Sequence, residues 1–254
     1  MTKPTKLSEI DTTKLTFTEL KAGGKGGKFG NVQYDGRKPL FKLPKVKTFG
    51  GDEYVSEDGR KDYTMTLQIT KEMEEGDKEI AAAIEGLQKF EKALGEHAKS
   101  NSLEFFGKKK KVTDDFLEAS RNPILKPSKN KETGDEDDRY KCMKVKLPVD
   151  KKEDGKKFNF TVFMENKEKM DITPETVKNI KSRGFVKCAI TPNVYVINGK
   201  LGCSWYLHQA QYWEPEGDSG YVDKDQFCLL SSDDEDEDED NSKDENQIVD
   251  SDSD

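Results

Sequence analysis

Apolar residues recur at every second position in several stretches of this chain and at helical spacing in one. Tyr63, Met65, Leu67 and Ile69 alternate with Thr64, Thr66, Gln68 and Thr70, which predicts a strand with one apolar face. Residues 41–49 alternate apolar with basic side chains and predict a strand with a lysine-lined face. Pro44 cannot donate to a ladder, so that strand lies at an edge or bulges. Residues 140–147 predict a further strand with Lys141, Lys144 and Lys146 outward. Phe158, Phe160, Val162 and Met164 line one face of the next, and a charged turn at 150–157 joins the two as a hairpin. The last strands are 185–190, 194–197 and 203–213, with a tight turn at Asn198-Gly199 between the final two.

Helical spacing is confined to residues 77–94, where Ile80, Ile84, Leu87 and Leu94 form a stripe with Phe90 beside it. Asp77 caps the start and Gly95 marks the stop. Thr173-Pro174 opens a short helix that Gly184 ends, and a short helix is expected at 114–119. Residues 121–138 read as an exposed loop, and the polar, glycine-rich residues 1–36 as a flexible segment holding one amphipathic fragment, Leu15, Phe17 and Leu20. About seven strands in hairpin order with two inserted helices make the fold mainly β (α+β), an antiparallel barrel of the OB type with a helix between its middle strands. The domain boundaries follow: 1–36 flexible, 37–230 barrel, 231–254 a disordered acidic tail.

Charge changes the picture. Residues 231–254 hold 13 acidic residues and one lysine, net −12, while the preceding 230 residues hold 42 basic and 38 acidic residues, net +4. The overall charge of −8 therefore describes the tail, and the body is a mildly basic candidate for binding polyanions. Asp233 to Asp240 is an unbroken acidic run that cannot bury a core, and it can compete with nucleic acid or recruit basic proteins. Ser231, Ser232 and Ser242 precede acidic residues and suit an acid-directed kinase.

Catalytic chemistry is thin. The only histidines are His97 and His208, both read as structural or surface groups. Cys142, Cys188, Cys203 and Cys228 have no close pairs, so no zinc site and no cofactor is expected. The run Gly23-Gly24-Lys25-Gly26-Gly27-Lys28-Phe29-Gly30 lacks the first Gly and the Ser/Thr of a phosphate loop, because Ala22 and Phe29 stand there. No 18-residue apolar run exists to span a membrane. Met1 to Ile10 lack an apolar signal core, which leads to the expectation of an intracellular protein with free thiols.

Binding an unpaired strand needs cations for phosphates and ring faces for bases. Three places combine them: Lys42, Lys45 and Lys47 flanked by Phe41 and Phe49; Phe105 and Phe106 followed by Lys108, Lys109, Lys110 and Lys111; and the final hairpin with Tyr195, Lys200, Trp205, Tyr206, Tyr212 and Trp213. Trp205 shares a face with Cys203 and Leu207 and is assigned to the core, which turns Tyr206, His208 and Tyr212 outward.

Residues 38–213 resemble the OB-fold single-stranded DNA-binding proteins of large eukaryotic DNA viruses, and acid-tailed phage counterparts share the plan. The matching stretches are 41–50, 63–69 and the hairpin 194–212, above all Gly199-Lys200-Leu201-Gly202-Cys203-Ser204-Trp205-Tyr206-Leu207. The resemblance implies a non-enzymatic protein that coats single-stranded DNA, with RNA as the alternative polymer, in support of replication or repair. It implies work in a host nucleus or viral replication site or packaging in the virion, and it leaves self-association open. The tail departs from the phage plan in lacking an aromatic tip, with Ile248 and Val249 its apolar residues. Two other classes remain: a histone-chaperone-like or virion-associated protein acting through the tail, and an enzyme on nucleic acid.

Overall fold

The computed structural model describes residues 4–23, 26–108, 110, 112–129, 133–150 and 157–215. The strands are β1 (Thr5–Lys6), β2 (Leu15–Phe17), β3 (Lys21–Ala22), β4 (Lys28–Tyr34), β5 (Phe41–Val55), β6 (Lys61–Thr70), β7 (Lys126–Lys129), β8 (Glu136–Lys146), β9 (Thr161–Phe163), β10 (Lys169–Met170), β11 (Phe185–Ile197) and β12 (Lys200–Trp213). Four helices fall between β6 and β7: α1 (Lys71–Gly76), α2 (Lys78–Ser100), α3 (Ser102–Phe106) and α4 (Asp114–Ser120).

Five strands close on themselves. β5 pairs with β6, β6 with β8, and β11 with both β12 and β5, all antiparallel. The ring is completed by a parallel pairing of β8 with β12, Val145 to Trp205 and Lys146 to Tyr206. The circuit β5-β6-β8-β12-β11 is that of an OB-fold-like barrel, and closure removes the unpaired edges an open sheet would present. Pairing alternates side chains in and out, so Met65 and Leu67 of β6, Met143 and Val145 of β8, and Trp205 and Leu207 of β12 all bury in one core.

The amphipathic α2 covers this core. Its stripe of Ile80, Ile84, Leu87, Phe90 and Leu94 is buried, and the Phe90 ring stands 5.2 Å from that of Trp205. Each such side chain contributes about 1.5–3 kcal/mol by leaving water. Asp77 Oδ1 accepts from the backbone N–H groups of Glu79 (2.7 Å) and Ile80 (3.3 Å), a cap worth about 1 kcal/mol. The expected stop at Gly95 is corrected: α2 continues to Ser100, and Gly95 serves packing, since a Cβ there would stand 3.0 Å from Leu117.

Five further expectations are corrected. Residues 5–34, read as flexible, supply β1 to β4, bury Leu7 and Val32, and extend the sheet alongside β11. The interval 121–138 contains β7 and the start of β8, and Ser128 Oγ donates to the Asp137 carbonyl (3.1 Å). The strand expected over 158–164 shrinks to β9, which runs parallel to β12, and the expected hairpin is reduced to one antiparallel bridge, Val149 to Phe158, where Asp150 N–H donates to the Lys157 carbonyl (2.8 Å) and Asn159 N–H to the Pro148 carbonyl (2.7 Å). After Thr173 only a 3-10 turn forms, at Val177–Asn179. Conversely, β11 is continuous where two strands were expected, with Pro192 standing opposite Trp205.

Two of the register shifts in the sheet bear on which side chains face out. One lies between the pairs Lys187–Lys45 and Ala189–Lys42, where Leu43 and Pro44 of β5 stand against Cys188 alone, one extra residue, as the proline suggests. The other lies in β12, where Gln209 pairs with Ala189 and Leu207 with Ile190, leaving His208 as an extra residue. It flips the parity of everything that follows. Leu201, Trp205 and Leu207 point inward before it, and Ala210 and Tyr212 after it.

Candidate nucleic-acid interface

Outward side chains of β6, β8, β12 and β11 build one surface. From β6 come Thr64 and Thr66, from β8 their cross-strand partners Lys146 and Lys144, from β12 Tyr206 and Ser204, and from β11 Asn193 and Tyr195. Lys146 Nζ lies 5.7 Å from the centre of the Tyr206 ring. The half-buried Tyr206 phenol is pushed up from its ordinary pKa, chiefly by desolvation and then by the nearby Cys203 and Asp62, so it is a neutral ring with a donor hydroxyl at physiological pH.

At the tip of the β11–β12 hairpin, Asn198 (φ 51°) and Gly199 (φ 74°) form the left-handed pair expected of a tight turn. The Tyr195 ring folds across the hairpin onto Gly202, where a Cβ would stand 2.4 Å from the ring carbon Cζ. The Asn122 side-chain amide donates to the Tyr195 hydroxyl, and Lys200 Nζ donates to the Ala119 carbonyl (2.6 Å). Loop and hairpin thereby hold the ring and the ammonium in place.

Three depressions follow this surface. The first, about 640 Å³, lies among Phe29, Arg121, Lys146, Tyr195, Lys200 and Ser204. The second, about 200 Å³, is bounded by Lys38, Asn193, Tyr206 and His208. The third, about 880 Å³, shares Lys38 and His208 with the second and adds Phe158, Phe160 and Lys169. The first two meet at cross-strand neighbours, Ser204 beside Asn193 and Lys146 beside Tyr206. Together they make a groove lined by Lys38, Arg121, Lys146, Lys169 and Lys200 and by aromatic rings, and no aspartate or glutamate is among the described residues that line it. In a chain with 51 acidic residues, a lining without carboxylates selects for anions. Arg121 alone of these five cations is ion-paired among the described residues, to the exposed Glu118 at 3.4 Å, a contact of little energetic weight.

The sequence-derived candidates divide accordingly. Tyr195, Lys200 and Tyr206 lie on the groove. Lys42, Lys45 and Lys47 project from β5 on another part of the barrel, and Phe49 is exposed with its ring against Tyr140 at 5.5 Å. Tyr212 does not face out. The bulge at His208 turns it into the core, fully buried, with its hydroxyl accepting from the Lys181 N–H (3.1 Å). Phe105 is likewise buried, packed on His97, while Phe106 is partly buried against Phe116. Lys108 sits 5.6 Å from the centre of the Phe116 ring, and the carbonyls of Lys108 and Lys110 accept from Ser102 Oγ. Lys109 and Lys111 lie outside the described residues, as does the acidic tail at 231–254. The cations and rings are thus not gathered on a single side. Phe29, Lys38, Arg121, Lys146, Lys169 and His208 are among the groove residues that the sequence did not single out as a site. The strand alternation marks Lys146 as outward, but nothing local marks Lys38, Arg121 or Lys169.

No protein-family model and no curated protein matches the chain. Among solved structures, it is similar to the single-stranded DNA-binding protein from bacteriophage Enc34 in complex with ssDNA, at 15% identity over 78% of this chain and 98% of that one, with a TM-score of 0.43. It is similar also to gp2.5, a single-stranded DNA-binding protein encoded by bacteriophage T7, at 17% identity over 76% of this chain and 100% of that one, with a TM-score of 0.39. A further structure of the single-stranded DNA-binding protein from bacteriophage Enc34 gives 15% identity over 82% of this chain and 96% of that one, with a TM-score of 0.38.

Proposed function

We propose that this protein binds single-stranded DNA in the groove along β12, coating unpaired strands in support of viral DNA replication or repair without catalysing a reaction. The observation that carries the reading is the groove lining: five cations and several rings with no carboxylate among the described residues, in a strongly acidic chain. Phosphates meet Lys38, Arg121, Lys146 and Lys200, while Tyr206 and Tyr195 offer faces to bases. Threonines 64 and 66 supply neutral hydroxyls beside the lysines. An OB-type barrel uses this part of its surface, the faces of its second and third strands and the hairpin between its fourth and fifth, for oligonucleotides and oligosaccharides. The groove lysines, none of them ion-paired among the described residues, favour the former. Residues 231–254, at net −12, act as a competitor for the same cations or recruit basic partners.

The test is anisotropy of a labelled oligo-dT titrated with the full chain at low salt. Binding is expected, and Tyr206→Ala should weaken it by about 1–3 kcal/mol, roughly 5- to 150-fold, while Tyr206→Phe retains most of it. Absence of binding at low salt, or an unaffected Tyr206→Ala, overturns the reading. A protein that instead captures basic proteins and loses them with residues 231–254 is the chaperone-like alternative.

A further inference from the structure

β12 does not stop at the groove. Past the bulge at His208 its outward side chains are Gln209, Gln211 and Trp213, none of them acidic. Gln211 stands between Lys187 of β11 and Phe163 of β9, its amide donating to the Glu165 carbonyl (3.2 Å), and Trp213 pairs with Phe185. Lys187 in turn stands directly opposite Lys45 on β5. Two ammonium side chains facing each other across a ladder repel and cost stability. Lys45 lies 4.3 Å from the centre of the Trp213 ring and 5.1 Å from that of Phe185, which places it over two outward aromatics. Among the described residues, neither Lys45, Lys187, nor the neighbouring Lys42 and Lys47 makes an ion pair. An uncompensated cation cluster with rings at its centre is the same combination that lines the groove.

We propose that this cluster, Lys45, Lys187, Phe185 and Trp213, is a second station for the same nucleic-acid strand, reached by following β12 beyond His208. The proposal rests on the groove reading. From Tyr206 to Trp213 is seven residues, about 23 Å at the usual rise of a strand. A short oligonucleotide fills the groove alone, and a longer one continues over Gln209 and Gln211 to place phosphates on Lys45 and Lys187. The cluster also accounts for the lysine-faced strand at Lys42, Lys45 and Lys47, which the groove leaves unused.

The experiment compares the full chain with its K45Q/K187Q variant on two oligo-dT lengths, about 6 and about 16 nucleotides, spanning the site sizes of OB folds. The short oligomer is expected to bind both proteins within about twofold. The long one should bind the variant at least about tenfold more weakly, with a log–log salt slope shallower by about 1.4, two single-strand phosphate contacts at 0.7 each. K45R/K187R should restore the long-oligomer affinity, and matched circular dichroism spectra control for folding. Equal effects of K45Q/K187Q on both lengths, or no effect on the long one while both bind, overturn the second station and leave the groove standing. If the unaltered protein binds neither length, the groove reading fails and the extension fails with it.

Discussion

His97 sits near the C-terminus of α2, where the helix dipole favours a cation, yet its ring lies between those of Phe17 (5.0 Å) and Phe105 (5.6 Å). Burial wins. Desolvation holds its pKa below the usual 6.5, with Glu104 pulling weakly the other way. The unfolded chain therefore binds more protons in the interval just below pH 6.5. Stability is fully present above 6.5 and is lost as the pH falls through the depressed value. The urea midpoint should drop between pH 8 and pH 5, and His97→Gln should drop less; equal drops would contradict this. The same ring shows what alternation alone leaves open. Phe105 and Tyr212 sit in patterns that look like binding rings, but Phe105 packs on His97 and Tyr212 is turned inward by one extra residue at His208. A bulge leaves the pattern of residue types unchanged while reversing the face. By contrast, Trp205, Tyr206, Tyr195 and Lys200 precede the bulge, and their sides follow from simple alternation.

Elements with regular periodicity were legible. β6 and α2 match their apolar patterns, Asp77 caps as its chemistry suggests, and Asn198-Gly199 turns as expected. What was not legible depends on contacts distant in sequence. β1 to β4 are short segments whose order comes from docking, β1 onto β5 and β4 onto β11 with β2 and β3 paired to β4, more than from any long pattern of their own. Gly86 is the key to that docking. A Cβ there would stand 2.0 Å from the Leu7 carbonyl oxygen, too close for real atoms, so α2 and the backbone at Leu7 meet only because the side chain is missing. Gly86→Ala would gain helix propensity of about 1 kcal/mol in isolation. Here it should destabilise, because Leu7 is forced off the helix. Hydrogen exchange is expected to show faster opening at residues 5–10 in Gly86→Ala, with the β6–β8 ladder unchanged; slower exchange at 5–10 would refute the close approach.

For the molecule as a whole, charge is divided unevenly, with net −12 on residues 231–254 and +4 on the rest. A chain ending at residue 230 should bind oligo-dT more tightly than the full chain at low salt. The advantage should shrink as salt screens the competition, with a Debye length near 10 Å at 0.1 M and about 3 Å at 1 M. Titrations of both chains across salt concentrations check it, and an advantage that persists unchanged at high salt would argue against electrostatic competition. Closure of the barrel has a separate consequence for how the protein comes into being. The parallel seam that closes the five-strand ring joins Val145 and Lys146 to Trp205 and Tyr206, sixty residues on. A ribosome must deliver the chain through most of β12 before that seam can form. Until then the end of β8 beyond its pairing with β7, Met143 to Lys146, is a border open to mispairing with other nascent chains, and the buried indole of Trp205 arrives with the strand that shuts it.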